Sequence, residues 1–212
     1  MSTTRVARRL LACGAVLCVA LAGLLTLPRS FARSQTRYPA FPISVAVAED
    51  RLGQPVVPAA WVTERVSRAN EIFADAGAFF EIRETRSLDP RFFALGNRAD
   101  RNALAASLHP GLINVFVVAS LADVDATGFR MGVHWRPPRA AGAHFVILAQ
   151  SAMPTTLAHE LGHFFGNPHS PTPNNIMSYA RDGLTPPVFD AIQLRRIGDH
   201  AARFRRSREI SL

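Results

Sequence analysis

The chain has 212 residues, a hydrophobic fraction of 48% and a formal net charge of +8. That length and apolar content fit one domain with an ample core. All 24 basic residues are arginine, ten of them before residue 30 or after residue 194, so residues 33–194 carry arginine and acid in equal number and the charge is no nucleic-acid footprint.

The N-terminal stretch reads as a leader. Arg5, Arg8 and Arg9 precede an apolar run from Leu10 to Leu27, and Ser30-Phe31-Ala32 places small residues at the −3 and −1 positions. This pattern predicts a signal peptide over residues 1–32, leaving 33–212 as a secreted or periplasmic domain. The alternative is an uncleaved membrane anchor through residues 10–27, because 18 residues is the lower edge of a span. Both cysteines, Cys13 and Cys18, fall in the leader, so the mature chain has neither disulfide nor thiol.

Further along, Ile43–Ala48 alternates and is β-branched, as a first strand does. Pro58–Ala76 repeats apolar residues at helical spacing (Trp61, Val62, Val66, Ala69, Ile72, Phe73), and Gly77 is placed to end that helix. Phe79–Arg83 predicts a second strand, Ala99–Ser107 a short helix, and Leu112–Val118 a buried strand. Residues 122–128 form a loop. Phe129–Arg136 and His144–Ala149 predict two more strands, split by Pro137-Pro138. Thr155 or Thr156 stands where a helix cap belongs. Thr185-Pro186 predicts the start of a last helix, with Phe189, Ile192, Ile197, Ala201 and Phe204 as its apolar stripe and arginines on the other face.

The chemistry lies in residues 159–169, which read H-E-L-G-H-F-F-G-N-P-H. His159 and His163 are four apart, so on a helix both imidazoles share one face and reach one metal ion. Glu160 stands beside them, able to reach a metal-bound water without being a ligand. For His169 to come round to the same ion the helix must stop. Gly166 tolerates the positive φ of a helix C-terminal turn, and Pro168 prevents the helix from resuming. Three neutral histidines make a catalytic zinc site with an open fourth position rather than a closed structural one. The implied reaction is hydrolysis of a peptide bond, with Glu160 as general base toward the zinc-bound water.

This motif, followed by Asn174-Asn175-Ile176-Met177-Ser178-Tyr179, resembles the metzincin clan of zinc metalloproteases. The eight-position step from His169 to Met177 and the His169-Ser170 pair look matrixin-like; Thr156-Leu157-Ala158 and Asn175-Ile176-Met177 resemble pappalysin-like enzymes. The resemblance implies an α+β, α/β-like catalytic domain: a twisted, mostly parallel sheet with an antiparallel edge strand, an active-site helix, a Met-turn and a C-terminal helix. It implies that Met177 is an apolar floor under the histidines. Tyr179 matches the astacin and serralysin tyrosine, which ligates zinc or stabilises the transition state. Extended substrate would pair along Phe129–Trp135.

The expected partner is a peptide or protein substrate, with no nucleic acid, no stable membrane association once the leader is cleaved, and a monomeric chain. The alternative is a zinc-bound but catalytically inactive interaction module; hydrolysis of a non-peptide amide is a third reading. By the matrixin resemblance, His134 and His144 stand near the places of structural-zinc ligands. The loop offers Asp123-Val124-Asp125 with no histidine, so one catalytic zinc is expected and no second.

Overall fold

The computed structural model describes residues 40–138, 142–207 and 209–210. The apolar run at 10–27, the cleavage position after Ala32 and both cysteines lie outside the described residues. Along the chain the elements are β1 (Phe41–Ala48), α1 (Ala59–Phe73), β2 (Phe80–Leu88), β3 (Ala94–Leu95), α2 (Arg98–Ala103), β4 (Ile113–Val118), β5 (Ser120–Leu121), β6 (Gly132–Trp135), β7 (Phe145–Ala149), α3 (Thr156–Phe164) and α4 (Ala191–Ser207).

β1, β4 and β7 are buried at every position. Strands apolar on both faces belong at the centre of a sheet covered on both sides. The sheet order is β2-β1-β4-β7-β6. β2, β1, β4 and β7 run parallel, and β6 closes one edge antiparallel to β7. The fold is thus mixed α/β with a mostly parallel sheet and an antiparallel edge strand.

Alternation along the strands divides the core in two. Ile43, Val45 and Val47 face α1, α3 and α4. Ala46 and Ala48, with Phe116 and Phe145, face a layer of Leu88, Phe92, Leu95, Leu104 and Leu121. β3 and β5 pair as a two-stranded parallel ribbon in that layer. On the helical face an aromatic cluster anchors the end of α3. The Phe165 ring lies 5.4 Å from Phe41, 5.8 Å from Phe73 and 5.5 Å from Phe204, mostly edge-on or tilted. Among the described residues no helix is long and apolar enough to cross a membrane.

The structure corrects several predicted bounds. α1 ends at Phe73, and a 3-10 turn carries the chain to Gly77, which adopts the left-handed conformation (φ 65°) expected of it. β2 runs on to Leu88, well past Arg83, because exposed Thr85 and Ser87 alternate with half-buried Glu84 and Arg86 along an edge strand. β6 is shorter than 129–136. Arg130 N–H donates instead to the Leu121 carbonyl (2.8 Å), and Phe129 bridges Ala122, so the chain meets β7 only from the Met131 carbonyl, which accepts from Ala149 N–H (2.9 Å), and is strand from Gly132.

Thr155 occupies the cap position of α3, but its hydroxyl makes no capping bond; its backbone is already helical, with φ −90° and ψ −7°. α4 begins at Ala191, not at Thr185. Val188 exchanges main-chain bonds with Asn174 and Ile176, which holds residues 186–188 extended. Asp190 then starts the helix. Its Oδ1 accepts from Ile192 and Gln193 N–H (2.9 Å each), while its own N–H donates to Gln193 Oε1 (3.0 Å), a capping box. Ile192 is consequently exposed, and Gln193 is buried in its stead.

Candidate metal centre

α3 places His159 and His163 one turn apart with ring centroids 4.8 Å from each other. The helix then stops by a Schellman closure. Gly166 N–H donates to the His163 carbonyl and Asn167 N–H to the Gly162 carbonyl, both at 2.9 Å, with Gly166 at φ 84°. Glycine is required there twice over, since a Cβ would stand 2.7 Å from Cε1 of the His200 ring on α4. The reversal brings His169 back, and the ligand nitrogens of His159, His163 and His169 all lie within 4.8 Å of one another.

The outer ring nitrogens are tied to the backbone. His159 Nδ1 lies 2.8 Å from the Ile176 carbonyl, and His163 Nδ1 lies 2.7 Å from the Asn167 carbonyl. A carbonyl only accepts, so both Nδ1 atoms carry the proton and both Nε2 atoms present lone pairs. Burial pulls the His159 pKa down to about 4, against the Ile176 bond that raises it. Burial also lowers His163 and, with the charge of Arg130, His169. All three are therefore neutral near pH 7, the form that binds metal. His163 Nε2 and His169 Nε2 stand 3.1 Å apart. Converging imidazole nitrogens of this kind fit a borderline-soft cation such as zinc.

Met177 is fully buried. Its Sδ occupies the space that a Cβ on Gly162 would need, between the two helix histidines in sequence. The turn carrying it is held by Asn175, whose Oδ1 accepts from Met177 N–H at 2.9 Å. Asn175 and Gln193 also exchange two amide bonds, 2.9 and 3.0 Å, tying this turn to α4.

Glu160 points to the edge strand. Burial pushes its pKa up to about 8, while the His134 main-chain N–H and the charge of Arg130 act the other way. Gly132 makes this approach possible: a Cβ there would meet Thr156 Cγ2 at 2.7 Å and Glu160 Cγ at 3.0 Å. The Tyr179 hydroxyl lies 2.8 Å from His169 Nε2, and the residue is 69% exposed. Of the site residues predicted from the sequence, His159, Glu160, His163, Gly166, His169 and Tyr179 line two adjoining clefts, and Met177 packs beneath α3 at Gly162.

Of the four residues weighed for a second metal, His134 and His144 meet, while the two aspartates pair elsewhere. Asp123 pairs with Arg130 and Asp125 with Arg98. His134 Nε2 lies 2.9 Å from His144 Nδ1, and His144 stacks on Phe164 at 3.9 Å. Burial lowers the pKa of His134 to about 3 and of His144 to about 4, and His144 Nε2 lies 3.5 Å from Glu209 Oε1.

Sequence reasoning gave no role to Asn167 or Arg181, took Asn175 only as part of the turn signature and Arg130 only as a position on the substrate edge. Asn174 has φ 57°, a conformation asparagine tolerates, so the Asn174-Asn175 doublet was a turn signal. Nothing in the spacing marked the two arginines, whose places depend on how two separate loops fold back.

No protein-family model matches the chain, and no curated protein matches it. Solved structures do. Archaemetzincin from Methanopyrus kandleri superposes with a TM-score of 0.55 at 16% identity, over 79% of this chain and 98% of that one. Metalloproteinase-II from Bacteroides fragilis gives the same TM-score at 17% identity, over 79% of this chain but 55% of its own. This chain shares their fold. It spans about half the length of the Bacteroides enzyme and nearly all of the archaeal one.

The contact between Met177 and Gly162 is a demanding one. Gly162→Ala forces the sulfur to move, and overpacking of this kind costs about 1–3 kcal/mol. Urea denaturation should show that loss together with weaker zinc retention against a chelator. Full stability and full retention would show that Met177 does not support the centre.

Proposed function

We propose that the chain is a metzincin-type zinc endopeptidase, exported by residues 1–32 and active as a monomer holding one zinc ion. The observation that carries this reading is the meeting of His159, His163 and His169 beside a buried carboxylate, Glu160, on the same helix. Likeness of fold to archaemetzincin and to metalloproteinase-II supports it. Met177 and its turn serve as the Met-turn floor. The basic residues before the apolar run support export.

Zinc held by the three histidines supplies Lewis acidity toward a water and a carbonyl oxygen. The residues of the chain do the rest. Glu160 accepts a proton from the attacking water as its oxygen bonds to the carbonyl carbon. It then delivers that proton to the amide nitrogen as the C–N bond breaks. A metal dication nearby favours the carboxylate form and offsets the desolvation that raises Glu160. The Tyr179 hydroxyl donates to the oxygen on which charge develops. Backbone groups near Gly132 pair with an extended substrate, though over a shorter edge than 129–135 because β6 begins only at Gly132.

Glu160→Ala should keep its zinc and its fold and lose about 10²–10⁴-fold in peptide hydrolysis, near the upper end because one group moves the proton twice. Cleavage of a peptide library within tenfold of the unsubstituted protein would remove Glu160 from the role. Intact zinc with no cleavage by either protein would favour an interaction module.

Tyr179→Phe should lower kcat more than it raises KM, since a bond to a developing oxyanion strengthens only in the transition state. An unchanged kcat at normal zinc content would make Tyr179 a packing residue.

A further inference from the structure

The cleft beside His159 and Glu160, about 320 Å³, holds two guanidinium groups, Arg130 and Arg181. Arg130 donates to Asp123 at 2.9 Å and also bonds the Tyr179 side chain. Arg181, two residues past Tyr179, donates to the carbonyls of Asn175 (3.0 Å), Ile176 (3.3 Å), Ala180 (3.1 Å) and Ser178. Those carbonyls fix the guanidinium in place without neutralising it. Burial lowers its pKa, and no acid acts on it. Of the acids lining the same cleft, Asp123 is taken by Arg130, and Glu160 is held by the His134 N–H for its work on water.

The same cleft is lined by exposed apolar residues, with Phe129 77%, Met131 42% and Met153 48% exposed. A space of this size takes one or two peptide side chains rather than a large ligand. A fixed cation lining the cleft, with no carboxylate of its own, favours an anionic side chain. We infer that this cleft selects peptides bearing Asp or Glu beside the scissile bond, with Arg181 as the specificity-determining cation and Arg130 as a second one behind it. The inference rests on the peptidase reading above and names its substrate class.

The test uses the intact, zinc-loaded chain and fluorescent hexapeptides made uncleavable by N-methylation of the central amide. Each peptide is paired with a twin that differs only by Glu or Gln at one position. Fluorescence anisotropy should show one position at which Glu binds about tenfold tighter than Gln, a charge-assisted bond against a neutral one in a half-open cleft. Salt should shrink that ratio. Arg181→Gln should bring it close to one, and Arg181→Lys should keep part of it.

Equal affinity within twofold at every position would overturn the inference, as would no binding of any Glu peptide, or a ratio that survives Arg181→Gln. Should that variant fail to fold, the ratio in the unsubstituted protein and its salt dependence decide. Cleavable versions of the same peptides separate the two claims. Preference without cleavage sinks the peptidase reading alone, whereas cleavage without preference sinks the acidic-substrate reading alone.

Discussion

The centre depends on one chain reversal. A helix can present two histidines to one point, but the third ligand has to come from outside the helix axis. Gly166 makes the return possible, closing α3 with two main-chain bonds and passing against His200 where no side chain fits. The aromatic packing of Phe165 fixes the same corner from the core side. Once the chain has turned, the Asn167 carbonyl accepts from His163 and sets its tautomer, so the residue that ends the helix also orients a ligand. The Ile176 carbonyl does the same for His159 from the turn that carries Met177. Position and protonation of the ligands thus come from the backbone that surrounds them.

Electrostatics point the same way. Burial disfavours charge on His159 and His163 and on Glu160 alike. For the imidazoles this is useful, because the neutral form is the ligand. For Glu160 it leaves a carboxyl group whose charged form wants a nearby cation. A dication among the histidines supplies that cation, and the edge strand supplies a main-chain N–H. The absence of a side chain at Gly132 lets the strand come close enough to do so.

Much of this was legible in the sequence because it is local. Four-residue spacing on a helix and a glycine three residues later follow from backbone geometry alone, and so does the central sheet, whose strands are apolar runs. What could not be read was set by distant contacts. The start of α4 moved from Thr185 to Ala191 because Val188 pairs with the turn at 174–176, some dozen positions upstream. Gln193 rather than Ile192 faces inward because Asn175 needs an amide partner. Arg130 and Arg181 lie fifty-one positions apart and line one cleft only because two separate loops fold to it. His134 and His144 were expected near one another from the resemblance, but their direct contact at 2.9 Å is set by the pairing of β6 with β7.

The most direct test of the three-histidine centre is X-ray absorption at the zinc edge on the purified chain, with elemental analysis of the same sample. One zinc per chain is expected, with three imidazole nitrogens at about 2.0–2.1 Å and a light atom completing the shell. Absence of zinc after reconstitution, or a shell with fewer than three imidazoles, would contradict the account.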